Sequence, residues 1–347
     1  MNVSRRFSVF LGAALAVCTA VVGSTGCGGA DDNLILIAGQ PIDPLTIDRD
    51  PLALLPGKPV MLGYLDAVEM FRSNLGSDVN QIVTMILPLG PESNFVPARD
   101  VKKVYGGIYA MQGADFCAVL QGDFDVAAIR RAADARTVVA SKVPLVHSRY
   151  SEMDLYTAGN VGFVVLSPHT ILTGNETGMR RALDRLRRDK LVRSLPNWMV
   201  DLSTSSPGAA FTLAADFGGQ SAVDAATQKM PFLVGLQKVR LIGNFKDPGI
   251  NMAGSFTYAD APSAAAGAGQ LADLQKLTGF MSLLASLGLM GTVPTMQVEQ
   301  RTNDLAVTMP MDASFARFLL GMVKDLASKA VAGTPPTGTW AWPLLNR

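Results

Sequence analysis

Histidine and cysteine are scarce in this 347-residue chain, with two of the first and three of the second. Histidine is the commonest general acid–base group, and with cysteine it makes up most zinc sites, so the shortage narrows the available chemistry. Neither histidine falls in an H-x-x-x-H pattern and no C-x-x-C occurs, which excludes the conventional zinc spacings. His169 lies in Ser167-Pro168-His169-Thr170, a hairpin-turn sequence, and His147 follows Val143 to Val146 near a strand edge. No serine of the chain beyond residue 26 stands in G-x-S-x-G, and Pro56-Gly57-Lys58 lacks the preceding glycine spacing of a phosphate loop. The acidic pair Asp123/Asp125 sits at a strand exit, where Asp125 suits a helix cap. No catalytic constellation, metal site or cofactor is implied.

Charge is sparse as well. Charged residues make up 17% of the chain, and 30 basic against 29 acidic side chains leave a formal charge of +1. That balance gives no bulk attraction to nucleic acid. What abounds is apolar: hydrophobic residues make up 48%, which excludes a disordered chain. The length suffices for two ordinary domains or one large duplicated one.

The apolar residues begin early. Met1 to Arg6 is a short basic start, Phe7 to Val22 is an uncharged apolar run of sixteen residues, and the small residues Gly23 to Gly26 precede Cys27. This is the three-part layout of an export signal over residues 1–26. The run falls short of the roughly 20 apolar residues that cross a bilayer comfortably. Ser24-Thr25-Gly26-Cys27 resembles the lipobox of bacterial lipoproteins, with serine where leucine is usual. The resemblance covers about 27 residues, and the residues also allow an ordinary signal cleaved after Gly26. It implies acylation of Cys27, which becomes the new N-terminus, and hence a partner in the membrane itself. Two or three acyl chains hold firmly, because each buried CH₂ contributes about 0.8 kcal/mol. Gly28 follows where, in some bacteria, aspartate marks inner-membrane retention, so the resemblance implies the outer membrane, facing the periplasm. Ser4-Arg5-Arg6-Phe7 partly matches a twin-arginine signal, and the general secretory route fits Ser8 and Val9 better. Loss of Arg5 and Arg6 leaves 28 basic against 29 acidic residues, a formal charge of −1. Loss of Cys18 and acylation of Cys27 leave Cys117 alone, inside a strand sequence, where it packs as a small inert hydrophobe.

Residues 27–59 are rich in Asp and Pro and read as a stiff, mostly extended tether, flexible at Gly28-Gly29. A tail of Gly, Thr, Pro and Trp occupies 333–347. Between them, residues 60–195 and 207–332 repeat one pattern of strand, helix, two strands, helix, two strands, helix. Val60 to Asp66 runs into a helix over Ala67 to Ser73 that Asp66 can cap, and Phe211 to Asp216 does likewise. Strands Lys103–Tyr109 and Lys238–Asn244 follow, then Phe116–Phe124 and Asn251–Tyr258, then Ala-rich helices Val126–Arg136 and Ala261–Leu277. Hairpins over 155–173 and 296–309 feed helices Glu176–Arg188 and Ser314–Ser328. Hairpins require antiparallel neighbours, so the expected architecture is α+β: antiparallel sheets with helices packed on one face, duplicated. Pro196, Asp201 and Ser203 to Ser206 mark the boundary.

Two surfaces stand out. The helix from Glu176 carries Arg180, Arg181, Arg185, Arg187 and Arg188 around an apolar stripe, a basic surface suited to lipid head groups or an acidic partner, or simply a solvated face. Gly279 to Val293 bears Phe280, Met281, Leu284, Leu287 and Met290, which read as core helix or as an apolar binding surface. The reading is a membrane-anchored, non-enzymatic envelope component, binding or structural, that presents a surface to another envelope protein. An enzyme with a dispersed site, or a carrier of an apolar ligand, are the alternatives.

Overall fold

The computed structural model describes residues 35–37, 40–86, 89, 91–110, 115–135, 143–188, 191–218, 231–286, 295–317, 320, 321 and 324. The expectations for residues 1–26, Cys27, Leu287, Met290 and the tail lie outside these residues.

A small hairpin, β1 (Ile35–Ile37) with β2 (Gln40–Ile42), leads into two short helices, α1 (Pro44–Arg49) and α2 (Pro51–Leu54). Both helices begin on proline, whose fixed φ suits the first helical position and whose missing N–H costs nothing there. Asp43 caps α1 by accepting from the Leu45 N–H at 2.9 Å. Ile47, Leu52, Leu54 and Leu55 are fully buried. Residues 44–55 are therefore not extended tether; their prolines start helices instead of excluding them, and the apolar residues between them enter the core.

All other strands among the described residues join one antiparallel sheet. They are β3 (Met61–Asp66), β4 (Val101–Ala110), β5 (Asp115–Gly122), β6 (Leu145–Tyr150), β7 (Met153–Ala158), β8 (Val161–Ser167), β9 (Thr170–Gly174), β10 (Phe211–Asp216), β11 (Leu236–Asn244), β12 (Gly249–Tyr258), β13 (Gln297–Arg301) and β14 (Asp304–Asp312). Their spatial order is β13-β14-β12-β11-β10-β3-β4-β5-β9-β8-β7-β6. The segments 60–195 and 207–332 thus meet at β3 and β10, paired from Phe211 opposite Leu65 to Ala215 opposite Met61. Where one hairpin is expected over 155–173, three strands stand, β7, β8 and β9, and β6 ahead of them pairs with β7, so that β6–β7 and β8–β9 are two hairpins.

The helices are α3 (Ala67–Arg72), α4 (Gly76–Ile86), α5 (Pro97–Asp100), α6 (Val126–Ala135), α7 (Glu176–Arg187), α8 (Asn197–Thr204) and α9 (Ala261–Ser286). Asp66 caps α3 through the Glu69 N–H, Asp125 accepts from the Ala128 N–H, and Asn175 caps α7 through the Gly178 N–H. Asp216 instead closes a short turn with Gly218. α8 lies within the expected boundary segment, its Met199 and Val200 buried in the core.

Side chains alternate along a strand, so β8 shows which helices cover which face. Phe163 and Val165 join a cluster with Ile129 of α6, Ala67 of α3 and Phe95. Val164 and Leu166 join another with Ile47, Leu54, Leu183 of α7 and Met199 of α8. On the β10–β14 side the first of these faces carries α9, through Ala264 and Leu271 against Val239, Tyr258 and Leu305. The α+β class stands, with a correction to its layering: helices cover both faces of β5, β9 and β8. The cause is the sequence of β8, Val-Gly-Phe-Val-Val-Leu-Ser, buried at all seven positions, a continuous apolar run that demands cover on both sides.

α7 reaches the second face by a close approach. A Cβ on Gly178 would stand 2.2 Å from the Phe116 carbonyl oxygen, so only glycine lets the helix start rest on β5.

Candidate functional site

Register lines up one row of residues across the second face. Val119 faces Tyr105, Tyr105 faces Tyr64, Tyr64 faces Thr212, Thr212 faces Ile242, Ile242 faces Ala253, and Ala253 faces Thr308. The C-terminal end of α8 and the chain after it, to Ala209, lie over the middle of this row. On each side of that ridge the surface is depressed, and Ala209 lines both hollows.

The hollow on the β3–β4 side is a polar cleft of about 200 Å³. Tyr64, Tyr105 and Thr212 form its floor, Ser203, Thr204 and Ser206 its wall, and Lys103 its rim. The two tyrosine rings lie 5.2 Å apart, tilted by 40°. Burial, helped by the nearby Asp66 carboxylate, pushes the Tyr64 hydroxyl up to about 12, so it remains a proton donor near neutrality. Burial raises Tyr105 as well. The wall hydroxyls all donate back into α8: Ser203 to the Met199 carbonyl at 2.9 Å, Thr204 to Val200 at 2.9 Å, Ser206 to Leu202 at 2.7 Å. Serine and threonine have one proton each, so these oxygens show the cleft only lone pairs.

The hollow on the other side is a broader, shallower trough of about 440 Å³, lined by Pro207, Ile242, Ala253, Thr308 and Pro310 among others. Beyond it, the second face of β11 and β12 displays Lys238, Arg240, Asn251, Ser255 and Thr257, polar side chains of intermediate burial. Trp198 of α8 borders this region, with the Lys238 ammonium 5.5 Å and the Arg240 guanidinium 5.1 Å from its ring centre.

The basic helix is α7, and most of its arginines have partners within the chain. Arg180 pairs with Glu176 and lies 4.9 Å over the Tyr150 ring; Arg181 pairs with Asp115 and lies 4.8 Å over Tyr109. Arg187 pairs with Asp184. Arg185 donates to the carbonyls of Ala53 and Val192, tying α7 to α2 and to the chain that follows. Arg188 is exposed at the helix end. Phe280, Met281 and Leu284 fall in the backbone of α9, on the same helix as the buried Ala264 and Leu271.

His169 lies in the β8–β9 turn, 3.2 Å from Asp123. His147, on edge strand β6, stands between Asp154 at 3.0 Å and Asp134 at 3.4 Å and stacks on Tyr156. Cys117 is buried in β5, where desolvation pushes its thiol far above the usual range and suppresses the nucleophilic thiolate. Among the described residues no group of three or more His, Cys, Asp or Glu is placed to hold a metal, and no helix is long and apolar enough to cross a membrane.

Sequence reasoning did not single out Tyr64, Tyr105 or Thr212. Each sits in an alternating strand as an ordinary inward-facing residue, and only the β3–β10 pairing brings them into one row. Ser203 to Ser206 did carry a signal, a cluster of hydroxyls, which reads as a boundary until α8 is seen beneath it.

No protein-family model and no curated protein matches the sequence. Among solved structures, the chain is similar to TP0453 in its crystal form III, at 13% identity and a TM-score of 0.49 over 80% of this chain and 98% of that one. Crystal form I of TP0453 gives 15% identity and a TM-score of 0.49 over 80% and 97%.

Proposed function

We propose that this chain is a lipid-anchored protein of the bacterial cell envelope, acylated at Cys27 on the outer membrane and facing the periplasm, whose body binds another envelope component and catalyses nothing. The anchor reading is supported by the order of basic start, short apolar run, small residues and cysteine over residues 1–27. The binding reading rests on one observation, the pair of hollows flanking the α8 ridge on a sheet face that, among the described residues, helices cover on one half only. Hydrocarbon burial would hold the protein at the membrane.

The body is also read as a duplication of a strand-helix-hairpin-helix-hairpin-helix unit. Counting outward from the centre, β3-β4-β5-β9-β8 and β10-β11-β12-β14-β13 use their elements in the same order. On this reading β6–β7 is an addition to the first unit. Antiparallel β3 and β10 would relate the units by a two-fold axis perpendicular to the sheet.

Palmitate labelling of the wild type and Cys27→Ser in cells tests the anchor. The wild type is expected to take up label and the variant none, and to leave the membrane fraction on washing; equal labelling of both overturns the proposal. Crosslinking in intact cells, with a reagent-reactive cysteine placed at Ala209, tests the binding role: a specific adduct is expected there and not at Val146 on edge strand β6.

A further inference from the structure

The polar cleft beside α8 has an unusual division of hydrogen-bonding capacity. Its α8 wall accepts and cannot donate, because Ser203, Thr204 and Ser206 direct their protons into the helix, and Thr212 donates its own to Ser203 at 3.4 Å. Its opposite side donates: Lys103 has only donors, and among the described residues nothing accepts the hydroxyl protons of Tyr64 or Tyr105. An occupant must therefore give protons on one side and receive them on the other within a cleft of about 200 Å³, the share of about seven water molecules.

That requirement selects among ligands. A carboxylate or a phosphodiester accepts well from Lys103 and the tyrosines but has only lone pairs to present to a wall of lone pairs. An ammonium has the opposite failing. Adjacent hydroxyl groups on one ring do both, since each donates one proton and accepts others. The C–H faces of such a ring would also pack on the tilted tyrosine pair, 5.2 Å apart. We infer that the cleft between α8 and β3–β4 is a binding site for a single sugar ring or an equivalent cyclic polyol, held by Tyr64, Tyr105 and Lys103 on one side and by the α8 hydroxyls on the other. This deepens the binding role proposed above by naming a ligand class for one of its two hollows, and it does not depend on the anchor.

The test is a titration of the full mature protein, in detergent, with glucose, N-acetylglucosamine and myo-inositol, and separately with acetate and methylammonium, read by the ring-proton NMR signals of the tyrosines. At least one of the three polyols is expected to shift the Tyr64 and Tyr105 signals to saturation, while acetate and methylammonium do not. Tyr64→Phe, which removes one donor and keeps the ring, is expected to weaken that binding about tenfold, the loss of one hydrogen bond. Lys103→Met is an independent second variant on an exposed side chain, expected to weaken it several-fold. Thr308→Ala, in the neighbouring trough, should leave it unchanged. Saturation by acetate in place of the polyols would make this an anion site and overturn the inference, as would the absence of saturable shifts with all three polyols. Cys27→Ser should bind the polyol as the wild type does, so that failure of the anchor and failure of the sugar site are read separately.

Discussion

Among the described residues, the second face of the sheet is dressed on one half and bare on the other, although a single register runs through both. Over β5, β9 and β8 it presents Val119, Leu172, Val164 and Leu166, all buried beneath α1, α2, α7 and α8. Over β11, β12 and β14 the row of Val164, Leu172 and Val119 continues as Ile242, Ala253 and Thr308, and the next row of that face presents Arg240, Ser255 and Ala306. Helix cover follows the apolar side chains, because an amphipathic helix is stabilised only where it removes apolar surface from water. The helical segments after the last strand of each half diverge accordingly. α7 turns onto the second face, where Gly178 lets it touch β5, whereas residues 313–317 are tied to the α4 region by Arg317, through Asp78 at 3.2 Å and the Asn74 carbonyl at 2.8 Å. α8 marks the border between the dressed and the bare halves, and both hollows lie along it.

This contrast is most exposed by truncation. Leu172→Ala, in the dressed half, opens a cavity beneath α1 and α7 and is expected to cost about 2–5 kcal/mol in urea unfolding. Thr308→Ala, in the bare half, should stay within about 0.5 kcal/mol of wild type. Equal losses would mean that the bare face is covered in solution. The next largest effect is expected where the N-terminal helices are pinned to the dressed half. One oxygen of Asp48 on α1 accepts from Ser167 at 2.5 Å and from Thr170 at 2.6 Å, both hydroxyls buried around the β8–β9 turn. Asp48→Ala strands both donors and should cost about 2–3 kcal/mol, while Asp48→Asn keeps an acceptor and should cost clearly less. Hydrogen exchange that rises in residues 44–54 of Asp48→Ala before the strands are affected would show that this edge of the dressed half can lift by itself.

The same contrast explains what could be read ahead of the structure. Strand and helix positions were accessible wherever period and caps agreed, as at Asp66, Asp125 and Asn175, because a cap is a local interaction between neighbours in sequence. Antiparallel pairing followed from short connections. Two features escaped because local and long-range physics diverge there. Pro44 and Pro51 look like breakers until the helices they open are buried by residues more than 60 positions away, with Gln121 donating to the Asp48 carbonyl and Arg185 to that of Ala53. The cleft escaped for the same reason at a larger scale: Tyr64, Tyr105 and Thr212 are neighbours only through the β3–β10 pairing, which no local pattern encodes. The α7 arginines show the converse. Their spacing was plain, but the carboxylates, rings and carbonyls that take up most of them lie on β5, β6 and α2 as well as on α7 itself.

The smallest expected effect lies on the border itself. Lys238 and Arg240 are the first side chains of the bare half to meet α8, and both place their charge over the Trp198 ring, at 5.5 and 5.1 Å. A cation over an aromatic face at a partly exposed site contributes about 0.5–1 kcal/mol. Arg240→Ala should therefore lower stability by about that amount, and Trp198→Leu by more, because it also removes packing against the core that Met199 and Val200 anchor. In the double variant the arginine loss should shrink toward zero, since the ring it served is gone. If instead the two losses add fully, the guanidinium is held by the strand alone, and the border of the dressed half is set by the apolar residues of α8 without help from the charges facing it.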